Sequence, residues 1–186
     1  MTSNYHTPIA TGAAANASTF NSPMGELDDA IGDLYATQRA KVYKAADQSV
    51  SVRTETTLQF DAEYWDTDTI HDTSTNNSRL TCKTAGIYVV TANVVVEGVD
   101  GTGGEVWAGI RENGSDLRAQ GYGEWIRDTE STPFKAEDAG ISISVELDLD
   151  VNDYVEIRVY IESGSGSFDV LSGLTTFSIR RVSDSP

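Results

Sequence analysis

The sequence predicts an all-β protein, an antiparallel sandwich or jelly roll, preceded by an extended N-terminal arm and one α-helix. Three observations predict this. From Ser49 onward, short runs alternate apolar and polar residues with the period of a strand. The runs are separated by turn chemistry, "DGTGG" at 100–104, "ENGSD" at 112–116, "DVND" at 150–153 and "SGSGS" at 163–167. No helix-length pattern follows residue 48, so nothing supplies the crossover helix that a parallel sheet requires.

The elements are taken in chain order. Residues 1 to about 20 mix Thr, Ala, Asn, Ser, Pro and Gly without apolar periodicity, which reads as an arm with no core of its own. At Ser22-Pro23 an N-cap residue precedes a proline suited to the first helical position, and Glu26, Asp28 and Asp29 put negative charge at the positive end of a helix. Met24, Leu27, Ile31 and Leu34 follow helical spacing, Tyr35 and Val42 extend the face, and Arg39, Lys41 and Lys44 close the other end. The spacing predicts a helix over about 23–44, with a thin apolar stripe suited to lying on another surface or in a short coiled coil. The expected division is therefore an N-terminal arm and helix, 1–47, and a β domain, 48–186.

Strands are predicted around Val50 and Val52, around Leu58 and Phe60, and then over 86–96, 106–111, 141–147, 154–162 and 175–182. Asn113-Gly114 favours a type I′ hairpin turn. Trp107 is expected in the core because it stands beside Val106 inside a strand.

Composition narrows the function classes. A net charge of −16 repels phosphate backbones and anionic bilayers, so neither nucleic acid nor membrane is an expected partner. The opening "MTSNYHTPIATGAAANASTF" lacks a basic region and an apolar run, so no signal peptide is expected and folding in a cytoplasm is. A lone Cys82 forms no internal disulfide and has no second cysteine at metal-ligand spacing; beside Leu80 in a predicted strand it reads as a small buried hydrophobe.

Catalytic chemistry is poorly provided for. The two histidines are His6 in the arm and His71 in the acidic loop "DTDTIHDT", and neither pairs with a nucleophile in the sequence pattern. Carboxylates such as Asp61, Glu63, Asp66, Asp68 and Asp72 are abundant, as a solvated acidic surface requires. Loops 66–72, 100–105 and 148–153 offer oxygen ligands of the kind calcium takes, yet none has the ligand spacing of a dedicated calcium loop. No Gly-rich phosphate loop precedes a helix. The expectation is a non-enzymatic protein with no cofactor and no metal. Tyr122 and Trp125, in the Gly-rich "AQGYGEWIRD", are the candidates for a sugar-stacking ligand loop.

The order Phe60, Leu80, Cys82, Gly86, Tyr88, Val90, then "VWAGIRENGSD", "SVELDLDVNDYVEIRV" and "TTFSIRRV" resembles the globular head of the complement q subcomponent, in the jelly-roll superfamily shared with tumour necrosis factor. The resemblance covers about residues 49–183. Leu80 and Val90 replace the two phenylalanines of that family's motif, and Ile179 stands where glycine is common. It implies a jelly roll that forms a homotrimer, with Tyr88, Tyr160 or Phe177 as candidates for an apolar interface.

A second resemblance lies at the front: "ATGAAANASTFNSPMGELDDAIGDL" is similar to the leader before the distal domains of tailed-bacteriophage virion proteins. It implies attachment to a particle through Phe20, Leu27, Ile31 and Leu34. Residues 1–47 hold 3 basic and 5 acidic side chains, net −2, and residues 48–186 hold 10 and 24, net −14, as a docking end and an exposed end would. The expected protein is a virion component assembled in the host cytoplasm, a capsid decoration or cement protein or a head fibre bound to the major capsid protein or another virion protein. The alternative is a tail-fibre module that recognises host surface glycan through Tyr122 and Trp125.

Overall fold

The computed structural model describes residues 37–97, 104–125, 138–162 and 167–186. The expected arm, the residues Phe20, Leu27, Ile31 and Leu34 expected to attach it, and the expected helix up to residue 36 lie outside the described residues.

The described residues form twelve strands: β1 Arg39–Tyr43, β2 Gln48–Ser51, β3 Thr56–Thr57, β4 Ala62–Asp66, β5 Arg79–Thr81, β6 Gly86–Val96, β7 Gly104–Glu112, β8 Asp116–Trp125, β9 Ala139–Leu149, β10 Tyr154–Ile161, β11 Ser167–Val170 and β12 Thr176–Ser183. Every pairing is antiparallel, and the strands make two sheets packed as a jelly roll.

In the seven-stranded sheet β6 pairs with β9 along its whole length on one side and with β12 on the other. Beyond β12, β1 and then β4 follow. β11 continues the line of β12 along the end of β6, and β2 pairs with it as β1 pairs with β12. The five-stranded sheet runs β3-β10-β7-β8, with β5 also on β10.

Between the sheets lies one core, containing Phe60, Leu80, Tyr88, Val90, Ile110, Ile141, Leu149, Ile157 and Phe177. Phe60 and Phe177 meet with ring centroids 5.4 Å apart. The core forms because inward positions repeat every second residue, as in β6, where all six even-numbered residues from Gly86 to Val96 are buried.

One expectation is corrected here. Residues 39–43 are a strand, not the end of a helix, and the compact unit begins at Thr37. Burial in β1 alternates: Ala40 and Val42 face the core while Arg39, Lys41 and Tyr43 face out. Period two placed Arg39 and Lys41 along the outer side of a strand, while Lys44, just past its end, is buried. The sandwich thus starts about ten residues before the expected boundary at 48.

The β7–β8 turn has the predicted chemistry, with positive φ at both Asn113 (50°) and Gly114 (77°). Lys44, buried at the end of β1, donates to Gln48 Oε1 (3.0 Å) and the Gln59 carbonyl (2.9 Å), tying the start of the unit to the Phe60 segment.

Candidate interaction faces

Cys82 and Tyr88 are structural. Cys82 is fully buried, its Sγ 3.0 Å from the Thr84 carbonyl, and burial pushes its thiol pKa up. The Tyr88 hydroxyl donates to the same carbonyl at 2.6 Å, and burial raises its pKa as well.

His71 is an internal strut. Its ring is buried, with Nδ1 2.8 Å from Glu63 Oε1 and Nε2 3.1 Å from the Asn77 carbonyl, so both nitrogens are committed. The loop acids have local work. Asp66 accepts backbone N–H bonds from Asp68, Ile70 and His71 at 2.8–3.1 Å. Asp72 accepts from Ser74 and Thr75, which holds its carboxyl down at about 2. Asp153 accepts from the Asn113 amide and the Asp150 N–H, both at 2.8 Å. Among the described residues no three His, Cys, Asp or Glu side chains converge as metal ligands.

What remains is surface, and the two sheets present different outer faces. On the seven-stranded sheet, register aligns Lys41, Ser178, Thr91 and Ser144 in one row and Tyr43, Thr176, Asn93 and Ser142 in the next. Thr91 and Ser178 share a hydroxyl hydrogen bond of 2.6 Å, and Ser142 Oγ donates to Asn93 Oδ1 at 3.1 Å. These small side chains leave two shallow grooves of about 370 and 340 Å³.

One flank of this face is aromatic and cationic. Tyr43 and Tyr64 have centroids 4.6 Å apart, Tyr64 and Trp65 6.1 Å, and Lys41 Nζ lies 5.2 Å from the Tyr64 ring and 5.6 Å from Trp65. Arg39 stands 5.9 Å over Trp65. Tyr64 and Trp65 remain 52% and 45% exposed. The opposite flank, on β9, carries the exposed Glu146 and Asp148.

The outer face of the five-stranded sheet carries an aromatic row. Tyr160 pairs with Trp107, and Trp107 pairs with Tyr122, so the three share one face across β10, β7 and β8. Trp107 and Tyr160 stack at 5.7 Å and 22°, and Tyr122 is 60% exposed, its hydroxyl accepting from Gln120 Nε2 at 2.5 Å. At Gly109 a Cβ would sit 2.8 Å from Leu117 Cδ1 and 3.3 Å from Trp107 Cζ3; the missing side chain lets the indole lie down over the strand.

Several expected roles are thereby moved. Tyr88 and Phe177 fill the core of a single chain and offer no outer face. Tyr160 does face outward, on the sheet opposite the Lys41–Thr91 field. Trp107 is not core: Val106, Ala108 and Ile110 share the inward parity, which the alternation already implied, leaving Trp107 outside. Tyr122 and Trp125 lie on strand β8, not in a loop; the Trp125 side chain is outside the described residues, while its backbone pairs with Gly104.

No protein-family model matches the sequence, and no curated protein does. Solved structures do. The chain is similar to the globular domain of zebrafish complement 1qA protein, with a TM-score of 0.52 and 14% identity over 80% of this chain and 99% of that one. It is also similar to Eiger TNF from S. frugiperda, with a TM-score of 0.53 and 14% identity over 81% of this chain and 95% of that one. The fold is the jelly roll shared by the complement 1q globular domain and tumour necrosis factor.

Proposed function

We propose that this chain is a non-catalytic structural and binding protein that assembles as a homotrimer through the outer face of its seven-stranded sheet. The carrying observation is the asymmetry of that face: aromatic and cationic along β1 and β4, acidic along β9, with a flat hydroxyl field between. Such a face is complementary to its own other flank, and a head-to-tail contact of that kind closes into a three-membered ring when each copy is turned by a third of a circle. Two exposed aromatics beside a groove mark it as a surface to be covered.

The leader at residues 10–34 supports the second half of the reading, that the trimer belongs to a tailed-bacteriophage particle as a decoration or head-fibre protein held through its N-terminal segment. The acidic outer domain then keeps particles soluble and mutually repelling.

The test combines light-scattering mass with particle binding. Removal of residues 1–36 leaves a folded trimer that no longer attaches to particles lacking the protein, whereas removal of 1–45 also takes β1 and unfolds the sandwich. Lys41→Glu combined with Trp65→Ala gives a folded monomer. A wild-type chain that is monomeric at micromolar concentration overturns the assembly, and undiminished attachment of the 37–186 fragment overturns the anchor.

A further inference from the structure

We infer that Glu146 of one copy seats its carboxylate between Arg39 and Arg180 of the next, so that the groove these arginines line is completed only by a second copy of this chain. The inference rests on the self-association proposed above and names the contact that carries it.

Arg39 on β1 and Arg180 on β12 are paired directly across the two strands. Like charges so placed repel, and both residues are exposed. Elsewhere Arg79, Arg111, Arg118, Arg158 and Arg181 are each ion-paired to a carboxylate within the chain. No ion pair ties Arg39 or Arg180 to an acid among the described residues, although the chain carries 29 acidic side chains against 13 Lys+Arg. Both line the groove of about 340 Å³, with Trp65 beside them.

The groove has the donors a carboxylate needs. Arg39 lies 5.9 Å over the Trp65 ring, which steadies its guanidinium while leaving its N–H groups available. Thr91 and Ser178 share one hydroxyl bond of 2.6 Å, so of their two hydroxyl protons one remains to be donated. A carboxylate between two guanidiniums takes charge-assisted bonds from both and cancels their repulsion.

Charge alone would admit any acidic surface; register commits the groove to a second copy. Arg39 pairs with Arg180, Arg180 with Val89 and Val89 with Glu146, in one row across β1, β12, β6 and β9. The acid and the two cations therefore stand at one level along the strands, with Arg39 and Glu146 three strand spacings, about 14 Å, apart. Turning a copy about an axis parallel to the strands brings its Glu146 to the level of the next copy's groove with no shift along the axis, which is the condition for a ring to close. Glu146 is exposed, and no hydrogen bond or ion pair occupies it among the described residues. Asp148, two residues on, already accepts from Ser185 Oγ at 2.6 Å.

Sedimentation equilibrium of the full chain, from nanomolar to micromolar concentration, reads the contact, and circular dichroism checks that each variant is folded. Glu146→Lys is expected to raise the concentration at which the assembly dissociates by at least about tenfold, and Glu146→Gln to raise it by less, since it removes the attraction without adding a repulsion. Arg39→Glu combined with Arg180→Glu weakens the assembly as Glu146→Lys does. All three reversals in one chain restore the wild-type dissociation to within about threefold, because each groove then meets a lysine from the next copy, a rescue that a merely structural defect does not show. Wild-type assembly in Glu146→Lys, or a triple variant that assembles no better than its parents, overturns this contact and leaves the trimer standing. A wild-type chain that stays monomeric overturns the assembly itself, and the contact with it.

Discussion

Gly121 is where the two sheets approach most tightly on the β8–β9 side, and replacing it with alanine measures that approach. An added Cβ would stand 2.7 Å from Ile141 Cγ2 and 3.4 Å from Ile143 Cγ1. Carbon atoms prefer about 3.5–4.0 Å, so close to 1 Å must be found. Ile141 is almost fully buried in β9, and its Cγ2 branches directly from Cβ, so it cannot swing aside without a strained rotamer or a shift of the strand. Overpacking of this kind costs about 1–3 kcal/mol. At about 2–4 °C per kcal/mol for a chain of this size, Gly121→Ala lowers the melting temperature by about 2–12 °C. Gly140→Ala is the control: it lies on β9, next to Ile141, with nothing within 4 Å, and is expected to be neutral or to stabilise by up to about 1 kcal/mol. Urea unfolding followed by circular dichroism checks both. Ile141→Ala removes the clashing methyl at a cost of about 2–5 kcal/mol by itself, so the double variant should lose less than the sum. Equal stability of Gly121→Ala and Gly140→Ala, or strict additivity in the double variant, refutes the close approach.

Two further predictions concern the core and the loop. Cys82, the single cysteine, should not react with Ellman's reagent at pH 8 in the folded protein and should react stoichiometrically in denaturant, because burial raises its pKa and closes access; rapid native reaction contradicts its placement. Asp72 is held at about 2 against an ordinary 3.8 by N–H bonds from Thr75 and Ser74, so its support of the turn is complete above pH 3.8 and is lost as pH falls through 2. The amide shifts of Ser74 and Thr75 should titrate with a midpoint near 2 and lose that step in Asp72→Ala; a midpoint near 3.8 rules out the capping.

The central strands were legible because their burial alternates cleanly. β6 has the bounds expected from the sequence, and β9 and β10 differ from expectation only at their ends. β8 was not legible, and the reason is physical. In "AQGYGEW" the inward positions are Gly121 and Gly123, whose missing side chains admit Ile141, and the large residue Tyr122 points out. A strand that buries glycine and exposes tyrosine inverts the hydrophobic pattern and reads as a loop. β1 failed for a related reason: five residues are too few for periods of 2 and 3.6 to be told apart when Lys and Arg stand at a plausible helix end.

The candidate faces divide in the same way. Tyr122 was found as an exposed aromatic, but its partners Trp107 and Tyr160, 15 and 38 positions away in the chain, became its neighbours only through β7–β8 and β10–β7 pairing. The corner of Lys41, Tyr64 and Trp65 depended on β1 crossing to β4, which no local pattern announces.

By itself the sequence determined an acidic, disulfide-free, antiparallel β domain, its central strands and its Asn113-Gly114 turn, because charge, alternation and turn preference are local properties of the chain. Which aromatics become neighbours was decided by the tertiary structure alone. The alternation of Val106, Ala108 and Ile110 already turns Trp107 outward, but only the pairing of β10 with β7 brings Tyr160 beside it, and only the stacking of one sheet on the other brings Phe60 against Phe177.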